Sequence, residues 1–362
     1  MSELDLAIRG GTLVDGSGAP GRSGDLGIED GRIVALGDVP GDAARTIDAE
    51  GCAVAPGFVD IHTHYDAQVF WDRMLTISPW HGVTSVVMGN CGFGIAPTRA
   101  AHRDLMLRTL ENVEGMDLDV LWQGLGEDWG FETFPEYLDA IEARGSAINV
   151  AALFGHTPLR MYVMGEEATE REATDDEISS MARLVREGME AGAIGFATSK
   201  APNHVGYDGK PVPSRLAHFD EIRALCRAMG ETERGIIMAS VGRGLFFKEM
   251  AVLAQESGRP VSWAALLAGM SGPGSHRKML DTVEQQQADG LRIVPQVLGR
   301  PLNFEFNLRD PFLFESLSCF EPFGRLRSDG EKTAFYADPA VREAFLAEAG
   351  DGLPPFLSLI HI

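Results

Sequence analysis

Strand-like and helix-like segments alternate along most of this chain, from residue 54 to about residue 298. The strand-like segments are apolar and bounded by turn residues, whereas the segments between them have the apolar spacing of amphipathic helices. We predict seven strands, at residues 54–61, 83–89, 147–154, 193–198, 235–241, 260–267 and 291–298. We predict helices at residues 98–113, 134–143, 174–190, 219–229, 245–256 and 276–288. Such alternation is typical of βα repeats around a parallel sheet.

The number of strands limits the fold. A closed (β/α)8 barrel needs eight strands, so seven are one short. We therefore expect an α/β chain whose residues 54–362 form an incomplete TIM-like (β/α)8 barrel, with an irregular or inserted segment from about residue 300 to residue 362. The apolar residues 357–362 resemble translated adaptor sequence. We expect the chain to be truncated at its C-terminus.

Residues 1–53 have a different character. Glycine-rich turns such as residues 15–18 and 30–31 separate short segments of strand-forming residues. We predict strands at Leu4–Arg9, Thr12–Val14, Leu26–Ile28 and Arg32–Leu36. This pattern predicts a small β unit that precedes the barrel.

The net charge of the chain is −22, from 53 acidic and 31 basic residues. Such a surface repels phosphate backbones and anionic lipids, which argues against nucleic-acid and membrane partners. The first residues lack the pattern of a signal peptide, and the four cysteines form no disulfide pattern. We expect a cytoplasmic protein that acts on a small molecule, and its oligomeric state stays open.

The most informative local feature is the pair His62 and His64. Side chains alternate between the two faces of a strand, so two histidines that are two residues apart point the same way. Neighbouring imidazoles at the end of a strand can share one metal ion. The pair therefore predicts a metal site at the end of the first barrel strand.

Longer motifs extend this interpretation. Three runs resemble the amidohydrolase superfamily: residues 10–16, 27–33 and 56–66. Three others are similar to its N-acyl-D-amino-acid deacylase (D-aminoacylase) branch: residues 82–94, 155–160 and 192–196. The resemblance implies a metal-bearing barrel beside a small β-sandwich, of which residues 1–53 would be the N-terminal part. It also implies that Cys91 is a metal ligand, and a thiolate beside two imidazoles favours zinc.

Further side chains near the strand ends are candidates for the site. Asp60 shares a face with His62, so it can either orient the imidazole or close a local turn. His156 and His204 follow the third and fourth strands, and we predict that both line a substrate pocket. The remaining charged and imidazole side chains near these motifs are expected to have structural or surface roles: Asp66, His81, His102, Arg160, His218, Arg243 and His276.

The chain departs from the branch at the fifth and sixth strands. There the resemblance implies two further metal-binding histidines and a lysine for the substrate carboxylate, but this sequence has Ser240, Ala265 and Leu267. We therefore expect a site that holds as few as one zinc ion, on His62, His64 and Cys91. The aspartate that the resemblance implies after an eighth strand, as ligand and proton shuttle, would lie beyond residue 362.

These features predict a metal-dependent hydrolase that cleaves a non-peptide carbon–nitrogen bond in a small amide by metal-activated water. Two alternatives stay open. One is a cyclic-amide hydrolase of the hydantoinase or dihydroorotase type, which the motif around Cys91 opposes. The other is a catalytically degenerate barrel scaffold, which Ser240 and Ala265 favour and the pair His62 and His64 opposes.

Overall fold

A computed structural model describes residues 4–268, 272–301, 307–309, 311, 314–315 and 317–350 of the chain. Contacts between residues divide the chain into two compact units. The first consists of Met1–Val59 with Gly82–Thr84, and the second of Asp60–His81 with Ser85–Ile362. The apolar residues 357–362, which we expect to be adaptor sequence, lie outside the described residues.

The first unit is a five-stranded sheet with the strand order β3-β2-β1-β4, in which β5 also pairs with β1. Its strands are β1 (Leu4–Leu13), β2 (Arg22–Glu29), β3 (Arg32–Gly37), β4 (Ala43–Asp48) and β5 (Ala53–Val54). The prediction of a small N-terminal β unit is therefore confirmed. The two predicted strands at 4–9 and 12–14 form one strand, whose register shifts between Ile8 and Gly11.

The turn between β2 and β3 shows why the sequence there is Asp-Gly. Asp30 has φ of 48° and Gly31 has φ of 68°. Positive φ at both central residues defines a type I′ turn, for which Asp-Gly is a favoured pair because its twist matches that of the strands.

The second sheet has seven strands, which follow one another in the order of the sequence. They are β6 (Phe58–Asp60), β7 (Val83–Met88), β8 (Asn149–Gly155), β9 (Gly195–Ser199), β10 (Ile236–Ser240), β11 (Val261–Ala264) and β12 (Ile293–Pro295). The neighbouring strands from β7 to β12 are parallel. Each of the seven strands overlaps a predicted one, so the predicted incomplete TIM-like barrel is confirmed.

Eleven helices of the described residues accompany these strands. They are α1 (Arg103–Glu114), α2 (Leu118–Leu125), α3 (Phe134–Arg144), α4 (His156–Met164), α5 (Asp175–Ala191), α6 (Pro213–Leu216), α7 (Phe219–Gly230), α8 (Phe247–Ser257), α9 (Ser275–Ala288), α10 (Asp329–Ala337) and α11 (Pro339–Gly350). Thr174 and Glu177 form the capping box that starts α5. The last two helices lie in the segment that we expect to be irregular or inserted, so this segment is not irregular throughout. None of the described helices is both long and apolar enough to cross a bilayer.

Both the strands and the helices contribute to the core of the second unit. Fully buried side chains include those of Val86, Phe154, Phe196, Ile237 and Trp263. At Gly195 a Cβ atom would lie only 2.0 Å from the carbonyl oxygen of Ile236, so only glycine lets β9 and β10 approach this closely.

The first barrel strand corrects the sequence analysis, which treats residues 54–61 as one buried strand. Val54 belongs to β5, and β6 comprises only Phe58–Asp60. Phe58 is 68% exposed and Ile61 is 51% exposed. The physical reason is that β6 lies at the edge of the seven-stranded sheet in the described residues.

Candidate metal centre

A strained turn after β7 positions Cys91. Gly89, Cys91 and Gly92 have φ of 80°, 57° and 73°, a left-handed conformation that glycine adopts most readily. A Cβ atom at Gly89 would lie 2.3 Å from the carbonyl oxygen of Leu153. The backbone N–H of Cys91 lies 3.3 Å from Sδ of Met238. The turn therefore explains the Gly-Asn-Cys-Gly run and holds the thiol near the end of β10.

The structure brings His62, His64 and Cys91 together. The two imidazole rings lie 5.4 Å apart between centroids in an edge-on arrangement. Sγ of Cys91 lies 3.3 Å from Nε2 of His62. One candidate ligand atom from each of the three side chains lies within 4.8 Å of the others, and no other such group of three occurs among the residues that the structure describes.

Gln296, at the end of β12, orients the His62 ring. Its side-chain Oε1 lies 2.6 Å from Nδ1 of His62, and its Nε2 donates to Oγ of Ser262 at 3.0 Å. Because an amide oxygen only accepts, Nδ1 of His62 carries the proton. The lone pair of His62 is therefore on Nε2, the nitrogen that faces Cys91.

The structure does not give Asp60 this orienting role. Oδ1 of Asp60 accepts a hydrogen bond from the backbone N–H of His62 at 3.2 Å. This contact corresponds to the alternative interpretation, in which the carboxylate closes a local turn. Gln296, and not Asp60, contacts Nδ1 of His62, so the orienting role of Asp60 stays a prediction.

His64 contacts a carboxylate that the sequence analysis does not identify. Nε2 of His64 lies 3.4 Å from Oε1 of Glu114, the last residue of α1. Nδ1 of His64 is buried and has no hydrogen-bond partner among the described residues. Burial, together with the charges of His62 and His204, lowers the pKa of His64 to about 3. The ring is therefore neutral at physiological pH and can offer a lone pair.

Burial also raises the pKa values of the acidic groups here. The pKa of Glu114 is raised to about 8, by burial and then by the charge of Asp66. Burial raises the pKa of Asp66 to about 7, although its Oδ2 accepts a hydrogen bond from the N–H of Gly89 at 3.1 Å. Asp66 thus stabilises the turn before Cys91, in keeping with its expected structural role.

The Cys91 thiol is neutral in these surroundings. Burial raises its pKa well above the ordinary value, the charge of Glu114 adds to the rise, and the hydroxyl of Ser240 opposes it. A thiol with such a raised pKa becomes a thiolate only when a cation binds to it. Two neutral imidazoles and a thiol form a donor set that fits one metal ion. Within this set, Nδ1 of His64 has no hydrogen-bond partner among the described residues.

The ends of β10 and β11 offer no comparable ligands. Ser240 ends β10 and is buried, and Ala265 directly follows β11. An alanine side chain has no donor atom, so the described residues at these two strands provide no second pair of imidazoles.

His156 has a different environment from the one we predict. It is fully buried, its Nδ1 lies 2.8 Å from Oγ1 of Thr198, and its Nε2 lies 2.8 Å from Oε1 of Glu221. Glu221 also pairs with Arg160, which is fully buried. Both ring nitrogens of His156 are therefore occupied by the protein itself, and its pocket role stays a prediction. The expected surface position of Arg160 is wrong, although its ion pair exists.

His204 lies beside the candidate metal ligands. Its ring is 5.0 Å from that of Phe93, which is 6.1 Å from the ring of His64. Nδ1 of His204 lies 2.6 Å from Oγ of Ser199. Burial, then the charges of Arg215 and His62, lowers the pKa of His204 to about 3. A neutral His204 thus borders the group formed by His62, His64 and Cys91.

Comparisons with known proteins identify a family that the chain resembles. A model of the amidohydrolase family matches residues 45–339. D-aminoacylase of Alcaligenes xylosoxydans xylosoxydans is 43% identical over 227 residues, which cover 62% of this chain and 42% of that protein. N-acyl-D-aspartate deacylase of the same organism is 42% identical over 231 residues, which cover 63% of this chain and 41% of that protein.

A solved structure is also similar. A D-aminoacylase point mutant in complex with copper chloride matches with a TM-score of 0.67 and 31% identity, over 82% of this chain and 59% of that one. The chain thus spans between 41% and 59% of the length of these three proteins.

Proposed function

Because the chain belongs to the amidohydrolase family, we propose that it is a metal-dependent hydrolase of a non-peptide carbon–nitrogen bond. Its substrate is a small amide of the N-acyl amino acid type. The observation that carries the proposal is the placement of ligand atoms of His62, His64 and Cys91 within 4.8 Å of one another. The likeness to D-aminoacylase and to N-acyl-D-aspartate deacylase supports this class of substrate.

The site would hold one zinc ion, through Nε2 of His62, Nδ1 of His64 and Sγ of Cys91. A thiolate with two imidazoles favours zinc over magnesium or calcium. Ser240 and Ala265 offer no imidazoles for a second ion. When bound, zinc supplies Lewis acidity, which lowers the pKa of water to about 7 and polarises an amide carbonyl.

The residues around this site keep the ligands in the required protonation states. Gln296 holds the proton on Nδ1 of His62, which leaves Nε2 unprotonated. Glu114 faces Nε2 of His64, which leaves Nδ1 as the nitrogen available to a cation. The thiol of Cys91 loses its proton to solvent when the cation binds. His204 and Phe93 border the ligands, and we assign His204 to the substrate pocket.

The test is an assay of the purified full-length protein, stripped of metal and reloaded with one equivalent of zinc. The substrates are the D and L forms of N-acetylated amino acids, with hydantoin and dihydroorotate as cyclic amides. We expect amine release from the D forms, and at least a 100-fold loss in His62→Ala, because one of three ligands is missing. Hydrolysis of the cyclic amides alone would support the hydantoinase alternative. Bound zinc without any hydrolysis would support a degenerate scaffold.

A further inference from the structure

Two cationic side chains, Lys200 and Arg215, lie beside His204. Nη1 of Arg215 donates to the backbone carbonyl of His204 at 3.0 Å. Nζ of Lys200 donates to the carbonyls of Arg215, at 2.7 Å, and Ala217. Within the described part of the chain, no carboxylate forms an ion pair with either cation. Both cations are therefore held in place by neutral backbone groups.

Holding these cations without a counter-ion is costly. Both side chains are half-buried, and burial lowers the pKa of each of them, that of Lys200 to about 8. At Lys200 the charge of Glu221 opposes the lowering by burial, whereas the charges of Arg160 and Arg215 add to it. A desolvated cation is unfavourable unless it is paired, and two neighbouring cations repel each other. An anion that comes from outside the described chain would relieve both costs.

Another guanidinium of this protein provides the contrast. Arg160 is fully buried and forms an ion pair with the carboxylate of Glu221. Arg215 remains partly exposed and has no such ion pair among the described residues. The difference between these two guanidinium groups indicates that Arg215 is available to an anion that arrives from solvent.

The two cations lie near the candidate metal ligands. Lys200 directly follows β9, and Arg215 binds the backbone of His204. The ring of His204 contacts that of Phe93, which in turn neighbours His64. The cations therefore lie on the β9 side of the site. At β11, by contrast, Leu267 stands where the resemblance implies a carboxylate-binding lysine.

We propose that Lys200 and Arg215 form a subsite that binds a carboxylate of the substrate on the β9 side of the metal site. This inference rests on the proposed function. A guanidinium can bind a carboxylate through two parallel hydrogen bonds, and the Lys200 ammonium adds a second positive charge. The subsite gives the enzyme a selectivity for anionic amides that does not depend on a lysine at β11.

The test measures binding without turnover. Metal-free full-length protein is titrated calorimetrically with N-acetyl-D-norvaline, N-acetyl-D-glutamate and the uncharged N-acetyl-D-norvalinamide. We expect Arg215→Met to weaken binding of the carboxylates at least tenfold, since a charged hydrogen-bonded contact is lost, and to leave the amide unchanged. Arg215→Lys should restore part of the affinity. Arg183→Met is the matched control, because Arg183 is an exposed residue of α5.

The pattern of results identifies the carboxylate. An equal loss for N-acetyl-D-norvaline and N-acetyl-D-glutamate assigns the subsite to the α-carboxylate, whereas a loss for N-acetyl-D-glutamate alone assigns it to the side chain. Unchanged affinity in folded Arg215→Met and Lys200→Met, judged by circular dichroism, would overturn the inference. Because this titration needs neither zinc nor hydrolysis, a failure of the proposed function would leave its result intact.

Discussion

Two groups of residues that contain histidine differ in how the ring nitrogens are used, the first being His62, His64 and Cys91 and the second His156, Arg160 and Glu221. Among the candidate metal ligands, the ring of His64 has a buried nitrogen without a hydrogen-bond partner in the described part of the chain. In the second group, both nitrogens of His156 are bound, one to Thr198 and one to Glu221. Burial is therefore common to both groups, and an unsatisfied ring nitrogen marks only the first.

The charges around the two groups differ as well. Glu221 lies between His156 and Arg160, and the hydrogen bond from His156 together with the charge of Arg160 keeps the pKa of this carboxyl below its usual value despite its burial. Near His64, burial instead raises the pKa of Glu114 to about 8. The second group is a closed network whose charges balance, whereas the first gains from an added cation. This contrast separates a stabilising network from a ligand-binding one.

The largest expected effect concerns the closed network. Glu221→Gln leaves the guanidinium of Arg160 buried without a counter-ion, so we expect the free energy of unfolding to fall by about 3 kcal/mol. Urea denaturation measures this change. The surface substitution Glu187→Gln should alter it by less than about 1 kcal/mol, because Glu187 pairs only with Arg183 on the exposed face of α5. Zinc bound per folded Glu221→Gln molecule should be unchanged, and a loss of zinc would show that the two groups are not separate.

The next effect concerns the orientation of His62. Gln296→Leu removes the acceptor for Nδ1 of His62, so we expect zinc affinity to fall about 10- to 100-fold with little change in stability. Competition with a chelator of known affinity measures this. Gln296→Glu keeps an acceptor and should retain most of the affinity. Equal affinity in Gln296→Leu and the wild type would contradict the assigned tautomer.

The smallest effect is the pH dependence of the metal-free protein. Asp66 and Glu114 have folded-state pKa values raised to about 7 and about 8, so the folded state binds their protons more tightly than the unfolded state. Their contribution to stability is present at low pH and is lost as pH rises through these values. Between about pH 7.5 and 8.5 we expect a net loss on the order of 1 kcal/mol, because Lys200, whose pKa is lowered to about 8, opposes part of it. Above about pH 7.5 the histidines are almost entirely neutral in both states and add little slope.

Denaturation at several pH values checks this prediction. Glu114→Gln should flatten the upper part of the decline, because glutamine does not titrate. A stability that stays level or rises between pH 7.5 and 8.5 in the metal-free wild type would contradict the raised pKa values.

The sequence predicts local features well. The capping residues Thr174 and Glu177 mark the start of α5, and glycines identify the turn that carries Cys91. The strand ends identify His62 and His64 because neighbouring parallel strands bring their carboxyl ends together. These features depend on short-range geometry, which is readable from residue types and spacing.

Contacts between distant segments could not be predicted in this way. Gln296 is 234 residues from His62, and Glu221 is 65 residues from His156. Glu114 is the last residue of a helix, so its place near the metal ligands cannot be predicted from the positions of the strand ends. The sequence pattern does not predict that α4 starts immediately after Gly155, because His156 is equally compatible with the end of the preceding strand. Such pairings depend on the tertiary fold.

The central claim is that His62, His64 and Cys91 hold one metal ion. Elemental analysis of zinc per chain tests it most directly, on purified full-length wild type, His62→Ala and the control His81→Ala, whose side chain is exposed. We predict about one zinc per chain in the wild type and in His81→Ala, since the three ligands suit a single ion. His62→Ala should retain less than about a tenth of this amount because it lacks a ligand. Equal zinc content in His62→Ala and the wild type, or negligible zinc in both, would contradict the account.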